Sequence, residues 1–262
     1  MSITEIKNLA YNIRKDVLYM TFHAGANGGH VGGAFSAADI LAVLYGKVMM
    51  EQDRFILSKG HIALAHYAVL AECGFFSKEK LLTFEDSGST LTTHEIKDSE
   101  RGIDISGGSL GYGISIASGI ALARKQAKDS SHIYVLVGDG ECNEGSIWEG
   151  AMTAAKLQLD NITVIVDENK QQLDGYTKDI LPIRDIGKVF ESFGWNTVYI
   201  DGHNYDEIEA GLLNRKNGFP TVVIAATIKG KGIASIEGQD DIHHMRISQE
   251  EYEKFVRELD ET

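Results

Sequence analysis

Apolar side chains recur at helical spacing at the start of the chain: Ile6, Leu9, Ile13, Val17 and Met20 or Thr21 share one face, which predicts a helix over residues 3–23. A glycine-rich stretch from Gly25 to Gly33 follows, and Ser36 reads as the N-cap of a second helix over 37–48. Phe55-Ile56-Leu57 is a short apolar strand, succeeded by Ser58-Lys59-Gly60-His61 and a helix through residue 71. Residues 85–106 are polar and irregular, as expected of a loop that reaches into a site. A glycine-rich run then opens a helix of small residues over 114–128. Continuous apolar runs at 132–137 and 162–166 read as buried strands on either side of a helix over 146–158. Further strands at 198–200 and 221–228 bracket a helix over 205–214, and a charged helix over 248–258 follows. Strands that alternate with helices and are apolar on both faces predict an α/β fold, a parallel β-sheet flanked by helices on both faces.

The 262 residues show no repeat, low-complexity tract or Pro/Ser-rich linker, so residues 1–262 are expected to form one domain. A formal charge of −13 argues against non-specific binding to nucleic acid, which needs a basic face. No stretch at the N-terminus is of signal-peptide type, and no apolar run approaches the ~20 residues of a membrane span. Cys73 and Cys142 lie far apart without metal-ligand spacing, which suits a reducing compartment. A cytoplasmic enzyme, or one chain of such an enzyme, is expected.

The chemistry concentrates between residues 138 and 169. In an open parallel sheet, ligands bind beyond the carboxyl ends of the strands. One strand ends in Gly138-Asp139-Gly140 and the next in Asp167-Glu168-Asn169, so Asp139 and Asn169 fall at neighbouring strand ends. A carboxylate and an amide oxygen there suit a hard cation such as Mg²⁺ or Ca²⁺. Gly138 and Gly140 let backbone approach a bulky anion, and a helix starting after Asn143 would point its N-terminus at phosphate. Gly-Asp-Gly alone is also a common turn after a strand. The longer string Gly138-Asp139-Gly140-Glu141-Cys142-Asn143-Glu144-Gly145, closed by Asp167-Glu168-Asn169, is far more specific.

That string resembles the diphosphate-binding motif of thiamine diphosphate enzymes. The resemblance puts Mg²⁺ (or Ca²⁺ or Mn²⁺) on Asp139, Asn169 and the backbone carbonyl of Gln171, with Gly140 against the diphosphate. Four more segments resemble the transketolase family in order: Gly29-His30-Val31-Gly32-Gly33, then Ser58-Lys59-Gly60-His61 with Tyr67, then Gly108-Ser109-Leu110-Gly111-Tyr112-Gly113, and finally Lys229-Gly230-Lys231-Gly232 with His243. By analogy His61 helps hold the diphosphate, and Gly108, Leu110, Glu144 and Leu173 belong to the cofactor-binding set, Glu144 also at a subunit interface. His30 and His243 would contact the donor sugar, proton transfers for which an imidazole is suited. His94 would join them, although the family's Gly-His-Pro reads Thr93-His94-Glu95 here. Val31 replaces a usual proline and Tyr112 a common glutamine. His23, His66, His132 and His203 read as structural.

The resemblance covers about residue 8 to the last helix, the family's first domain only. No segment resembles the pyrimidine-binding domain whose glutamate activates the cofactor. The expectation is a split transketolase, in which a separate C-terminal subunit supplies that glutamate in an α₂β₂ heterotetramer. A two-carbon ketol unit would then pass from a ketose donor to an aldose acceptor. Two alternatives stay open: a split thiamine diphosphate enzyme for a specialised sugar, and a non-catalytic paralogue. A nucleotide-binding dehydrogenase fails, because no G-x-G-x-x-G follows the first strand.

Overall fold

The computed structural model describes residues 1–261. Helix α1 (Ile3–His23) opens on a capping box between Ser2 and Glu5. Then follow α2 (Val31–Val43), β1 (Arg54–Leu57), α3 (Ala63–Glu72), α4 (Gly113–Gln126), β2 (Ile133–Gly138), α5 (Gly145–Lys156) and β3 (Ile162–Glu168). A small hairpin, β4 (Gln171–Gln172) and β5 (Gly175–Tyr176), leads into α6 (Thr177–Ile180) and α7 (Ile186–Ser192). The last elements are β6 (Asn196–Asp201), α8 (Tyr205–Leu213), β7 (Thr221–Ala226) and α9 (Gln249–Asp260).

The main sheet is wholly parallel in the order β1-β2-β3-β7-β6. Successive side chains of a strand point to opposite faces, which divides the core in two. Tyr134 and Leu136 of β2 join Phe55, Leu57, Ile165 and Val223 in a core built with α1, α2, α3 and α8. Ile133, Val135 and Val137 join Val164, Val166 and Ile224 in the other, under α4, α5 and α7. The predicted α/β architecture is therefore present, with helices on both faces.

Three local expectations change. Helix α2 starts at Val31, not after Ser36. Ser36 lies inside it, its Oγ 2.9 Å from the Gly33 carbonyl and donating to Asp167 at 2.6 Å, so it serves the strand-end network rather than a cap. The stretch Val31–Val48 is apolar enough by length and composition to cross a membrane, with a mean hydropathy of 1.3, but 83% of it is buried inside the protein. It packs between α1 and α3 as a core helix. Finally, the hairpin Gln171–Tyr176 and α7 occupy a region without a prominent hydrophobic period, and β7 ends at Ala226.

Candidate active site at the carboxyl edge of the sheet

The sheet delivers its chemistry through the segments that leave the carboxyl ends of β1, β2, β3 and β7. Gly138 pairs with Asp167 in register, so Asp139 and Asn169 emerge side by side. A cleft of about 520 Å³ opens above them. Asp139, Gly140, Glu144, Asn169, Gln171, Leu173, Gly108, Leu110, His61, His94 and His243 all line it.

Asp139 is 5% exposed and caps the turn Gly140–Asn143. Its carboxylate accepts from the amides of Gly140 at 2.9 Å and Lys170 at 2.7 Å. Burial, with Asp167 nearby, raises it to about pKa 7. The buried carboxylate thus lacks a full counter-charge, and a cation would supply one. Asn169 donates its Nδ2 to Asp167 and Ser36, each at 3.3 Å, which turns Oδ1 toward the Gln171 amide at 3.1 Å. Among the described residues no three His, Cys, Asp or Glu side chains group to hold a metal. A carboxylate, an amide oxygen and a backbone carbonyl form a different donor set, all hard oxygens, which fits Mg²⁺ with anionic oxygens completing its shell.

Below the cleft runs a buried charge network that sequence reasoning missed. Lys59 Nζ lies 2.5 Å from Asp167 Oδ2, with Asp167 also accepting from Ser36 and Thr227. Lys229 reaches the Gln172 carbonyl at 3.4 Å, and its pKa falls to about 8 through burial and the repulsion of Lys59. Lys59 and Lys229 both line the cleft and give it positive charge in a strongly acidic chain. Glu141 is buried as well, accepting from Ser58 Oγ, Gly111 N and Gly138 N, so it ties the β1 end and the α4 entry to the β2 end. The only sequence signal for Asp167 is a charge closing an apolar strand. Lys59 and Lys229 stand in family-like segments but carry no role there by sequence alone, because burial of a lysine is a tertiary property.

The histidines converge on one side of the cleft. His30, at the N-cap of α2, lies at the centre of the group. Its ring centroid is 5.4 Å from His61, 5.3 Å from His243, 6.3 Å from His94 and 4.8 Å from His244. His30 Nδ1 is buried and has no hydrogen-bond partner among the described residues. Burial, reinforced by the neighbouring imidazoles, lowers His30 to about pKa 3, whereas burial with Lys229 and Lys59 lowers His243 to about 4. His61 is shifted down by burial and Lys59. These rings are therefore neutral at physiological pH and can accept protons or hydrogen bonds. His61, His94 and His243 line the cleft, His30 and His244 pack behind them, and His23, His66, His132 and His203 lie elsewhere.

The histidine segments are stitched together by backbone. Gly28 has φ +66°, and a Cβ there would sit 2.3 Å from the Met245 carbonyl, so only glycine allows this approach. Gly29 and Met245 exchange backbone hydrogen bonds at 2.8 and 2.9 Å. Gly32 donates to the Ile242 carbonyl and accepts from Gly230, each at 3.0 Å. The loops carrying His30, Lys229 and His243 are thereby locked to one another.

Comparison with known proteins agrees with this geometry. The family model for the transketolase thiamine diphosphate binding domain matches residues 7–260. The chain is 39% identical to one of the apulose-4-phosphate transketolase subunits of Actinobacillus succinogenes, over 99% of this chain and 97% of that one. It is 41% identical to the 6-deoxy-6-sulfo-D-fructose transketolase subunit of a Clostridium species, over 88% of each. Among solved structures, the transketolase of Campylobacter jejuni superposes with a TM-score of 0.91 at 29% identity, over 99% of this chain and 43% of that one. The chain thus spans less than half the length of that full-size enzyme. It belongs to the transketolase family, of which it is the N-terminal, thiamine diphosphate-binding part.

Proposed function

We propose that this chain is the diphosphate-binding subunit of a two-chain transketolase, moving a ketol unit from a ketose donor to an aldose acceptor. The observation that carries the reading is the convergence of Asp139, Asn169, Lys59 and Lys229 with His61, His94 and His243 in one cleft at the sheet's carboxyl edge, His30 packing against those three rings from behind the lining. Asp139, Asn169 and the Gln171 carbonyl would hold Mg²⁺, with Lys59 and Lys229 adding charge for the diphosphate. Gly140 gives the diphosphate room, since a Cβ there would already lie 2.8 Å from the Gln172 side chain. Gly108, Leu110 and Leu173 would flank the cofactor's rings, and Glu144 would stand beside the cofactor and the second subunit. When bound, thiamine diphosphate supplies the carbon–carbon bond chemistry. The protein's part is to hold it in one pose and to manage protons. His30 Nδ1 is buried without a partner among the described residues, and His243 and His94, which line the cleft, stand beside its ring to meet a substrate group.

The partner is a C-terminal transketolase subunit that brings the activating glutamate, in an α₂β₂ heterotetramer. The word "subunit" in the names of both relatives supports a separate partner chain. Those relatives are named for a phosphorylated and a sulfonated ketose, so the donor class proposed is a ketose with an anionic terminus. Free cysteines, with Cys142 buried, support a cytoplasmic site of action. Residues 1–262 act as one domain in this reading.

Calorimetry with thiamine diphosphate and Mg²⁺ tests the proposal, first on this chain and then on its mixture with the second subunit. Binding in the mixture, followed by ketol transfer from an anionic ketose, is the expected result. No heat in either condition would sink the cofactor assignment and favour a non-catalytic paralogue.

A further inference from the structure

His94 is carried by a long segment with little regular structure, yet its neighbours are fixed at every step. Thr93 donates its backbone N–H and its hydroxyl to Glu85. The Thr92 carbonyl accepts from Tyr67 OH at 3.1 Å, and the Thr92 hydroxyl donates to the His94 carbonyl at 2.6 Å. The Glu95 carbonyl accepts from Gly107 at 2.9 Å. The chain turns the His94 side chain out into the cleft, and the next side chain, Glu95, runs the opposite way into the core, where it is 2% exposed.

A carboxylate so deeply buried must be partnered. Glu95 Oε1 meets His66 Nδ1, and the other ring nitrogen of His66 lies 2.6 Å from Tyr45 OH. His66 is 1% exposed, set on α3, with its ring against Phe55 of β1 at 4.8 Å between centroids. Glu95 is thereby bolted to α3 and β1, two rigid elements of the core. This matters because the backbone between Thr92 and Glu95 has no sheet or helix to define it. With the side chain of residue 95 anchored and the His94 ring resting over Gly108, the imidazole has one place to be. Glu95 also stands where the family resemblance expects proline, so an anchoring side chain replaces a stiff backbone.

We propose that Glu95 is a positioning residue for His94: its buried pairing with His66 fixes the loop so that the His94 imidazole faces the cleft histidines. The proposal rests on the transketolase reading only for its kinetic consequence. The positional consequence belongs to this chain alone.

Two readouts separate these. The first is the His94 imidazole resonance of the full chain in solution, assigned by its loss in His94→Ala. It is expected to be a single ordered signal in wild type and Glu95→Gln, since an amide oxygen still accepts from His66 Nδ1, and to shift or broaden in Glu95→Ala. The second is ketol transfer by the assembled two-chain enzyme. Glu95→Ala is expected to lower kcat/KM on the order of 10²-fold, as for a displaced site group, with thiamine diphosphate affinity unchanged. Glu95→Gln should restore most of it. The Glu95→Ala/His94→Ala double variant should be no worse than His94→Ala alone, because a residue acting through another is not additive with it. An unmoved His94 signal in Glu95→Ala overturns the proposal, and so does full additivity in the double variant. If the wild-type assembly transfers no ketol unit, the functional reading fails while the resonance comparison still decides the role of Glu95.

Discussion

Lys59, leaving β1, and Asp167, at the end of β3, form an ion pair across the intervening strand, with Nζ and Oδ2 2.5 Å apart and both side chains buried. The pair sits directly under the candidate diphosphate site, so it holds one lysine in place while leaving its charge close to the cleft. Removing a single partner of a buried pair exposes the other to an uncompensated desolvation cost of about 3–5 kcal/mol. Asp167→Ala is therefore expected to cost about that much in urea unfolding, and Lys59→Met less in combination with Asp167→Ala than the two single changes added together. Equal additivity would mean that the two groups do not act as a pair.

Metal dependence should reside in Asp139. Asp139→Asn keeps the shape of the side chain but only one of the two oxygens that accept from the Gly140 and Lys170 amides, so the fold should persist with a modest loss of thermal stability. Calorimetric binding of thiamine diphosphate in the presence of Mg²⁺ should fall at least tenfold, as expected when a carboxylate ligand is lost. Chelation of the metal from the wild-type assembly should give the same loss, and restored binding on adding Mg²⁺ would tie the two observations together.

Acid should destabilise the free chain. His30, His243 and His132 are held near pKa 3, 4 and 3 by burial, well below the ordinary 6.5. These three imidazoles bind protons in the unfolded chain and not in the native one as the pH falls below about 6.5, a loss of stability that runs down to about pH 3 and is offset in part by Asp139 and Asp16, raised to about 7 and 6. Denaturant midpoints measured at pH 7 and pH 5 should show this decline, and His132→Gln should reduce it. A pH dependence unaltered by His132→Gln would contradict a neutral, buried imidazole at that position.

Gly32 is expected to be intolerant of a methyl group. A Cβ at this position would lie 2.5 Å from the backbone carbonyl of Ile242, which cannot swing aside as a side chain could. Gly32→Ala should cost about 1–3 kcal/mol, as overpacking does, and should push the His243 segment away from His30. Steady-state kinetics should then show a larger loss of ketol transfer than of thiamine diphosphate binding. Equal losses would place the damage at the diphosphate instead.

Much of this was legible in the sequence, for reasons that differ by residue. Asp139 and Asn169 fall together because continuous apolar strands announce a parallel sheet, and adjacent strand ends follow from that. Ser36 misleads, since a serine before an apolar run signals a cap only where no preceding turn is already helical, and here the glycines at 32 and 33 are inside the helix. Lys59, Asp167 and Glu141 stay invisible because their roles come from neighbours distant in the chain. The His66–Glu95 contact is of the same kind: a histidine that reads as structural proves to hold the residue next to a cleft histidine.

The backbone exchange between Gly29 and Met245 joins positions separated by almost the whole chain. Closing so large a loop is entropically slow, and contacts of this range form late. The sheet and its helices can condense from nearer neighbours, but His243 and His244 cannot join His30 until that bridge shuts. Assembly of the histidine cluster is thus expected to lag behind the growth of secondary structure, so a chain that already looks folded to circular dichroism would still be waiting for its chemistry.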